Sequence, residues 1–282
     1  MLLALAIPAG VVSAVAYGVA TAVQHTEVQA ESSGGAGLAQ LLRSPRWWAS
    51  IAGDGFGLVL QLIALATGPV VLIQPLFILC LPVALPVRAR LGGRPPTRRD
   101  YLWSLVLCAG LGAFFLFAGR PQTGRVLVTS TAVTVIAVSL GGGLVLALGS
   151  RLLRGTFRAV VISAIAGAWF GTEAMLVNGV STVWSSDGLS GFTHLVGLVP
   201  LVGAVVLGLL GFAFTQAAFQ HGSIGAAFPA MLVVDPLVAV VTGAFLLGEG
   251  IRSDPLAEVG YAVSAAVVVY ATFRLALGGD RR

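Results

Sequence analysis

Stretches of about twenty apolar residues recur along this 282-residue chain and constrain its fold more than any other feature. A helix rises about 1.5 Å per residue, so about twenty residues cross a hydrocarbon core about 30 Å thick. Nine stretches qualify, namely 1–23, 46–67, 69–87, 101–119, 126–149, 159–179, 192–220, 222–247 and 257–276. The predicted fold is therefore all-α: a polytopic membrane protein with about nine transmembrane helices, forming one transmembrane domain over residues 1–282.

The low charge content excludes a soluble domain. Charged residues make up 10% of the chain and the mean hydropathy is +0.97, whereas soluble domains carry about 25% charged residues. The segment Met1–Val23 lacks a basic start, and its apolar run exceeds the usual 7–15 residues or so of a signal peptide, so we predict a first span. Cys80 and Cys108 lie in apolar stretches and are predicted to be small apolar residues rather than a disulfide or metal-binding pair.

The arginines predict how the chain is oriented. The net charge is +5 and all 16 basic residues are arginine. With the N-terminus outside, 13 arginines fall on the cytoplasmic side and three outside. Because basic residues are enriched in cytoplasmic loops, we predict a multi-pass plasma-membrane protein with an external N-terminus and a cytoplasmic C-terminus. Membrane lipid is an expected partner and nucleic acid is not. The polar segment 24–45 is predicted to be a flexible loop.

An internal repeat relates the two halves of the chain. The pairs matching at an offset of 154 residues are Gly57 with Gly211, Ala64 with Ala218, Gly68 with Gly222, Pro75 with Pro229 and Pro82 with Pro236. One residue off that register, Tyr17-Gly18 matches Phe170-Gly171. We expect repeat 1 at about 1–119, a connecting helix at 126–149 and repeat 2 at about 159–276, inverted relative to repeat 1.

The paired prolines predict where the helices are interrupted. Pro75 and Pro82 fall in the third span, and Pro229 and Pro236 fall in the eighth. Inverted repeats with paired, proline-interrupted helices are typical of secondary transporters, whose binding site lies at the repeat interface. We therefore expect helix breaks at these four prolines. The alternative is that the prolines only kink their helices.

Three ionisable residues lie well inside the predicted spans: Asp54, Glu173 and Asp235. A carboxylate at the bilayer centre costs about 2.5–3.5 kcal/mol even on lenient scales, so it must face a cavity or be neutralised. Asp235 precedes Pro236, matches Leu81 in the repeat, and is the first candidate for proton exchange or for binding a cationic solute. The alternative is that Asp235 caps a helix break and bonds to the backbone.

Amide side chains accompany these carboxyl groups in the spans. Gln61, Gln74, Gln216 and Asn178 each offer a donor and an acceptor, which suits a small polar ligand or a partly hydrated ion. The alternative is interhelical hydrogen bonding, worth about 0.6 kcal/mol per bond.

No enzyme motif is present in the sequence, which contains no P-loop, G-x-S-x-G or H-E-x-x-H pattern. We therefore expect a protein that is not an enzyme, with no catalytic residues and no cofactor. Whether a metal ion binds, and whether the chain forms a homodimer, stay open at this point.

Two windows of the chain carry a known pattern. In the first, the matching residues are Trp47-Trp48, Gly57, Ala64, Pro69 and Pro75-Leu76, with Gln61 replacing an asparagine. The second runs from Gln216 through Pro229 to Phe245-Leu246-Leu247-Gly248-Glu249. The first window resembles the NIPA-type magnesium transporters of the drug/metabolite transporter superfamily, and the second is similar to both NIPA and EamA-type repeats. The resemblance implies a nine-helix transporter.

Two positions depart from the pattern of that family. Leu58 stands where the family has an acidic residue after Gly57, and Arg94 stands near its acidic residue after the third span. Asp54 lies one helical turn before Leu58 on the same face and could replace the first of these. We therefore expect a secondary transporter of a small polar or cationic solute, with proton-coupled export as one form. The alternatives are Mg²⁺ transport, translocation of a lipid-linked intermediate, and a non-transporting membrane scaffold.

Overall fold

All secondary structure is helical in the part of the chain that the computed structural model describes, residues 3–33, 43–92, 97–118, 127–221, 224–249 and 254–280. The helices, in chain order, are α1 (Leu3–Ser33), α2 (Pro45–Thr67), α3 (Val70–Arg90), α4 (Arg98–Ala118), α5 (Thr129–Ser150), α6 (Gly155–Asp187), α7 (Leu195–His221), α8 (Ile224–Phe245) and α9 (Pro255–Asp280). The short 3-10 turn Gly188–Thr193 follows α6. The all-α prediction is confirmed for these residues.

Within the described residues, eight helices, α1–α7 and α9, are long and apolar enough to cross a membrane. The described part of α8 adds a shorter apolar stretch, Ala230–Phe245. Large apolar side chains such as Leu116, Val138 and Leu209 are exposed, as lipid-facing side chains of a helical bundle are. The protein is therefore a membrane-embedded, polytopic helical protein.

The first helix is longer than predicted. α1 continues without a break to Ser33, so the loop predicted at 24–45 is wrong for residues 24–33. This stretch contains no glycine or proline, and its Gln, Glu and Ala residues favour a helix. Gln24 and His25 are buried within the bundle, where Gln24 hydrogen-bonds to side chains of α2 and α7 and the His25 ring packs on Phe219. Residues 34–42 lie outside the described part of the chain.

The third span is interrupted, as predicted, but at one proline only. α3 begins as the α-helix Val70–Ile73, tightens into the 3-10 turn Gln74–Leu79 around Pro75, and returns to α-helix at Cys80–Arg90. The predicted break at Pro82 is wrong. Pro82 is the third residue of the last helix, and the first-turn N–H groups of a helix have no intrahelical partner, so a missing donor costs little there.

The eighth span is not interrupted. α8 remains α-helical through Pro229 and Pro236, so the helix breaks predicted at these two positions are wrong. A proline inside a helix removes one backbone hydrogen bond, but neighbouring helices can hold such a segment in helical form within a membrane. α6 packs along α8 and provides this support.

In the first half, α1 runs antiparallel to α2. The ring of Tyr17 covers Gly57 on α2, where an added Cβ would lie 3.0 Å from the ring. Further toward the start of α1, Gly10 approaches Ala64. Positions that advance along α1 therefore meet positions that recede along α2.

The third helix runs parallel to α1. A Cβ on Gly10 would lie 3.0 Å from the side chain of Leu76, and a Cβ on Gly18 would lie 2.6 Å from the carbonyl oxygen of Cys80 and 3.0 Å from Val83. The absence of a side chain at Gly18 lets the two backbones approach each other closely.

The second half repeats the antiparallel contact. The ring of Phe170 on α6 covers Gly211 on α7, where an added Cβ would lie 2.9 Å from the ring. One turn further along α6, Glu173 meets Gly208. α6 and α7 therefore run in opposite directions, as α1 and α2 do.

The second half also repeats the parallel contact. A Cβ on Gly167 of α6 would lie 2.6 Å from the carbonyl oxygen of Met231 on α8, and a Cβ on Gly171 would overlap the carbonyl oxygen of Asp235 and crowd Val238. α6 therefore runs parallel to α8.

Contacts between the halves pair α3 with α8 and α4 with α9. On α4 and α9, Gly110 meets Val267, and the Tyr261 hydroxyl donates to the carbonyl of Phe117 at 3.0 Å. These pairs show that α4 and α9 are antiparallel. α3 and α8 are also antiparallel. Val70 at the start of α3 meets the segment after α8, whereas Gln74, one turn further along α3, meets Asp235 in the middle of α8.

The fifth helix attaches to the outside of the second half. Trp169 of α6 donates from Nε1 to the carbonyl of Ser139 at 2.9 Å, and the hydroxyls of Ser139 and Thr172 lie 2.8 Å apart. The Trp169 ring also covers Gly143. Most of the remaining side chains of α5 are exposed or half-buried.

Candidate solute-binding site

Asp235 lies where α3 meets α8 and is 2% exposed. Gln74 on α3 donates from Nε2 to Asp235 Oδ1 at 3.4 Å, and Gln61 on α2 donates from Nε2 to Gln74 Oε1 at 3.4 Å. Three residues predicted from the sequence thus form one chain across three helices. Both contacts are long for N–H···O hydrogen bonds, so a bound solute could replace them at little cost.

Asp54 is part of a second polar chain. The side-chain amide of Gln24 on α1 donates to Asp54 Oδ2, and Gln216 on α7 donates from Nε2 to Gln24 Oε1 at 2.8 Å. Gln24 is buried, whereas Asp54 and Gln216 are half-buried. This chain connects α1 and α2 with α7.

Glu173 is a half-buried carboxyl group on α6. An added Cβ on Gly208 of α7 would lie 2.9 Å from Glu173 Oε1, so the missing side chain at Gly208 creates the space that the carboxyl group occupies. No described residue hydrogen-bonds to the Glu173 side chain, which interacts electrostatically with Asp235 and Tyr17. Its oxygens are therefore available to a ligand.

Tyr17 on α1 lies within electrostatic range of the three carboxyl groups, which we call the carboxyl cluster. Its ring packs on Phe77 with a centroid distance of 4.7 Å. Its hydroxyl interacts electrostatically with Glu173, Asp54 and Asp235. The four residues come from α1, α2, α6 and α8, so both halves of the bundle contribute to the cluster.

The cluster has no basic partner among the described residues. The only charged group that acts appreciably on Asp235 is another carboxyl group, that of Glu173, and none acts appreciably on Asp54. An uncompensated carboxylate inside a membrane must be neutralised. The arrangement is therefore suited to bind protons or a cation.

A dehydrated metal ion does not fit the described residues. They contain no group of three or more His, Cys, Asp or Glu side chains that could hold a metal ion. Mg²⁺ keeps several of its waters and uses one or two carboxylates, so a hydrated Mg²⁺ ion needs fewer protein ligands. The carboxyl groups are spread over three helices, which suits a larger or hydrated cation better.

Asn178 takes no part in the cluster. Its Nδ2 donates to the carbonyl of Leu65 on α2 at 3.2 Å and links α6 to α2. This contact matches the alternative considered for the amides, an interhelical hydrogen bond. Leu65 lies close to the end of α2, so Asn178 contacts one face of the bundle.

Glu249 follows α8 and accepts hydrogen bonds from the first residues of α3. Its Oε1 accepts the backbone N–H of Val70 at 3.1 Å, and its Oε2 accepts that of Val71 at 2.9 Å. Gly248 has φ +63°, a left-handed conformation that favours glycine, and it directs the chain so that Glu249 turns inward. Gly243 leaves room for the carboxyl group, since a Cβ there would lie 3.0 Å from Oε2.

The environment of Glu249 acts on its ionisation in two opposing ways. Burial raises the pKa of Glu249 above its ordinary value, and the two backbone N–H donors from Val70 and Val71 lower the pKa by a smaller amount. Glu249 is 2% exposed, so the loss of water outweighs the two hydrogen bonds.

Sequence reasoning missed Tyr17, Gln24 and Glu249 as site or interface residues. Tyr17 stands in an apolar stretch and matched Phe170 only as part of the repeat. Gln24 begins the polar segment assigned to a loop, and its role depends on the extension of α1. Glu249 was noted only within the resemblance to a family pattern, and no sequence signal indicated its partners.

Together, the helices and the buried polar cluster define a polytopic α-helical membrane protein. No protein-family model matches the chain, and no solved structure matches it. The chain is similar to a protein of Corynebacterium glutamicum that is described as uncharacterized, with 27% identity over 241 residues. That similarity covers 84% of this chain and 81% of the relative. It spans most of both chains and assigns no activity.

Proposed function

We propose that the protein is a secondary transporter that moves a small cationic or polar solute across the plasma membrane. The observation that supports this proposal is the carboxyl cluster of Asp54, Glu173 and Asp235 near Tyr17. Asp235 is buried, Asp54 and Glu173 are half-buried, and none has a basic partner among the described residues. Such carboxyl groups require a proton or a bound cation. Exchange of one for the other would couple solute movement to protons, with export as the expected direction.

We propose that α1–α4 and α6–α9 are inverted repeats joined by α5, giving nine spans. In each half, the first helix runs antiparallel to the second and parallel to the third. Tyr17-Gly18 and Phe170-Gly171 make corresponding contacts: the ring covers a glycine of the second helix, and the glycine meets a carbonyl of the third. The paired helices α3 and α8 run antiparallel, as do α4 and α9, and an inversion requires both.

The contacts support a revised register for the proposed repeat. They pair Gly18 with Gly171, at an offset of 153 residues between α1 and α6. They pair Cys80 with Asp235, an offset of 155 residues between α3 and α8, instead of the pairing of Leu81 with Asp235 at 154. In this register Asp235 corresponds to a buried thiol, so the two halves differ chemically at this position.

The position of the cluster supports a transport site. Gln74 contacts Asp235 and Gln216 contacts Gln24, so each polar chain crosses between the proposed repeats. Solute sites of inverted-repeat transporters lie at such an interface near the middle of the membrane. The resemblance to NIPA and EamA-type transporters supports the same class.

A cell-based comparison tests the proposal. Cells producing the wild type, Asp235→Asn or the control Asp187→Asn would be assayed for efflux of ethidium and tetraphenylphosphonium and for growth under Mg²⁺ limitation. Asp187 is exposed at the end of α6, so its substitution removes a carboxylate outside the cluster.

We expect the wild type and Asp187→Asn to change the response to at least one cation, and Asp235→Asn to lose this effect at an equal level in the membrane. A response to Mg²⁺ alone would select the magnesium alternative. Wild-type behaviour of Asp235→Asn in every assay would contradict the proposal and favour a scaffold role.

A further inference from the structure

We propose that Glu249 is a one-sided latch, which keeps the bundle closed at the face where α2 and α8 end and α3 begins. The latch consists of the Glu249 carboxyl group and the backbone N–H groups of Val70 and Val71. It joins the two proposed repeats, and the opposite face has no equivalent carboxylate. The inference rests on the proposed function, since a latch has a purpose only in a protein that opens alternately to each side.

The latch compensates groups that otherwise lack partners. Val70 and Val71 are each 0% exposed and form the first turn of α3. The first N–H groups of a helix have no partner within that helix. Glu249 satisfies two of them with one carboxyl group, and a buried donor left without an acceptor is costly. Without this acceptor, the start of α3 gains stability when it separates from α8 and reaches water.

A second hydrogen bond between the halves lies at the same face. Leu65 is close to the end of α2, just before α3 begins, and its carbonyl accepts the amide of Asn178 from α6 at 3.2 Å. Two independent side chains, Asn178 and Glu249, therefore join the halves here through backbone groups.

The corresponding contact at the opposite face is a pair of aromatic rings, with no hydrogen bond between the two residues. In the register of the repeat, His25 on α1 corresponds to Asn178, and Phe219 on α7 corresponds to Leu65. The rings of His25 and Phe219 meet edge to face with centroids 5.8 Å apart. The Nε2 atom of His25 is buried without a hydrogen-bond partner, so this ring pair contributes packing only. The neighbouring amide hydrogen bond from Gln216 to Gln24 joins the halves here without a charged group.

The opposite face also lacks an acidic residue at the latch position. At an offset of 155 residues, Glu249 corresponds to Arg94, which lies outside the described residues, and the sequence from 88 to 99 contains five arginines and no carboxylate. The next acidic residue, Asp100, already accepts the backbone N–H of Thr97 at 2.7 Å and its hydroxyl at 2.8 Å, at the start of α4. The resting protein therefore favours closure on the Glu249 side.

The native cysteine of α3 reports whether this face opens. Cys80 is 1% exposed and stands ten residues after Val70, roughly 15 Å deeper along the helix. With Cys108→Ala as background, Cys80 is the only thiol. A membrane-impermeant maleimide would be added to intact cells, which present the Glu249 face under the proposed orientation, and separately to inside-out vesicles.

The variants are Glu249→Ala, Glu249→Asp and the control Glu258→Ala. Glu258 is exposed near the start of α9, so its substitution removes a carboxylate at the same face without touching the latch. Glu249→Asp retains the charge on a side chain one methylene shorter, and it serves as the test if Glu249→Ala fails to accumulate in the membrane.

We expect the maleimide to label Cys80 from the Glu249 face at least about tenfold faster in Glu249→Ala than in the background protein. This factor is consistent with the loss of hydrogen bonds to a charged group. Glu249→Asp should give a smaller acceleration, and Glu258→Ala none. Unchanged labelling in both Glu249 variants, or equal acceleration from both faces, would overturn the latch.

The two experiments test the latch and the proposed function separately. Faster labelling of Glu249→Ala together with normal transport by Asp235→Asn would support the latch and contradict the proposed site. Loss of transport in Asp235→Asn with unchanged labelling of the Glu249 variants would support the site and reject the latch.

Discussion

Two glycines of α6 determine how closely α8 approaches the cluster. Gly167 and Gly171 leave no side chain between the backbones, and an added Cβ at Gly171 would overlap the carbonyl oxygen of Asp235. Backbone atoms cannot rotate away as a flexible side chain does. The depth of Asp235 in the bundle therefore depends on the smallest residue type at these positions.

Gly171→Ala should destabilise the protein for this reason. Overpacking typically costs about 1–3 kcal/mol, so the melting temperature in detergent should fall, together with the yield of membrane-inserted protein. Gly141→Ala is the matched control, because an added Cβ on Gly141 of α5 meets nothing within 4 Å. Equal melting temperatures for the two variants would show that α6 and α8 do not pack this closely.

Glu249 gives the protein a pH-dependent stability. Burial raises its pKa above the ordinary value of 4.5, so the folded protein binds this proton more tightly than the unfolded chain does. The resulting stability is complete below 4.5 and is lost as the pH rises through the raised pKa. Relative to Glu249→Gln, the wild-type melting temperature should fall as the pH is raised from 4.5 upward. A rise instead would mean that the two N–H donors outweigh burial.

Helix positions were largely predictable because one physical requirement sets them. About twenty apolar residues are needed to cross the membrane, and the predicted boundary between spans 46–67 and 69–87 is confirmed by the end of α2 at Thr67 and the start of α3 at Val70. The end of α1 was not predictable in the same way. Residues 24–33 are polar and remain helical because of helix propensity and tertiary contacts, which hydropathy does not measure.

The effect of each proline on its helix was also not predictable from the local sequence. Pro75 coincides with a 3-10 turn in α3, whereas Pro236 lies inside a continuous α-helix. The residue type is the same, so the difference comes from the surrounding helices. α8 packs closely along α6 at the glycines of α6, and a local sequence pattern does not reveal this contact between distant helices.

A disulfide tests the contact between α4 and α9. An added Cβ on Gly110 would lie 3.4 Å from the Cβ of Val267, close to the Cβ separation of about 3.5–4.5 Å found in disulfides. In a background with Cys80→Ala and Cys108→Ala, the pair Gly110→Cys with Val267→Cys should cross-link under mild oxidation. The cross-link would be detected as a mobility shift after cleavage of the chain between α4 and α9.

The control pair is Gly112→Cys with Val267→Cys, because an added Cβ on Gly112 meets nothing within 4 Å. It should remain reduced under the same conditions. Cross-linking of the control pair at the same rate would contradict the packing of α4 against α9 at Gly110.

At the scale of the whole molecule, the proposed inversion and the arginine distribution predict the topology. With 13 arginines on one side and three on the other, we expect an external N-terminus and a cytoplasmic C-terminus. Reporter fusions after residues 95 and 155 should read cytoplasmic, and a fusion after residue 187 should read external. A cytoplasmic signal at 187 would reject the nine-span arrangement.

The candidate site was predictable only in part. Its carboxyl groups stand out in the sequence because buried charge is rare in membrane spans. Their proximity was not predictable, because Asp54 and Glu173 come from different halves and both lie near Tyr17 only in the folded bundle. The amides divide similarly: Gln61, Gln74 and Gln216 join polar chains that end at carboxyl groups, whereas Asn178 joins two helices.

Solute flux through the purified protein tests the central claim most directly. Wild type, Asp235→Asn and Asp187→Asn would be reconstituted at equal density into liposomes carrying a pH gradient, and tetraphenylphosphonium, ethidium and Mg²⁺ movement would be followed. The account predicts gradient-driven flux of at least one of these cations in the wild type and in Asp187→Asn, and flux no greater than that of empty liposomes in Asp235→Asn. Equal flux in Asp235→Asn and the wild type would contradict the assignment of the carboxyl cluster as the transport site.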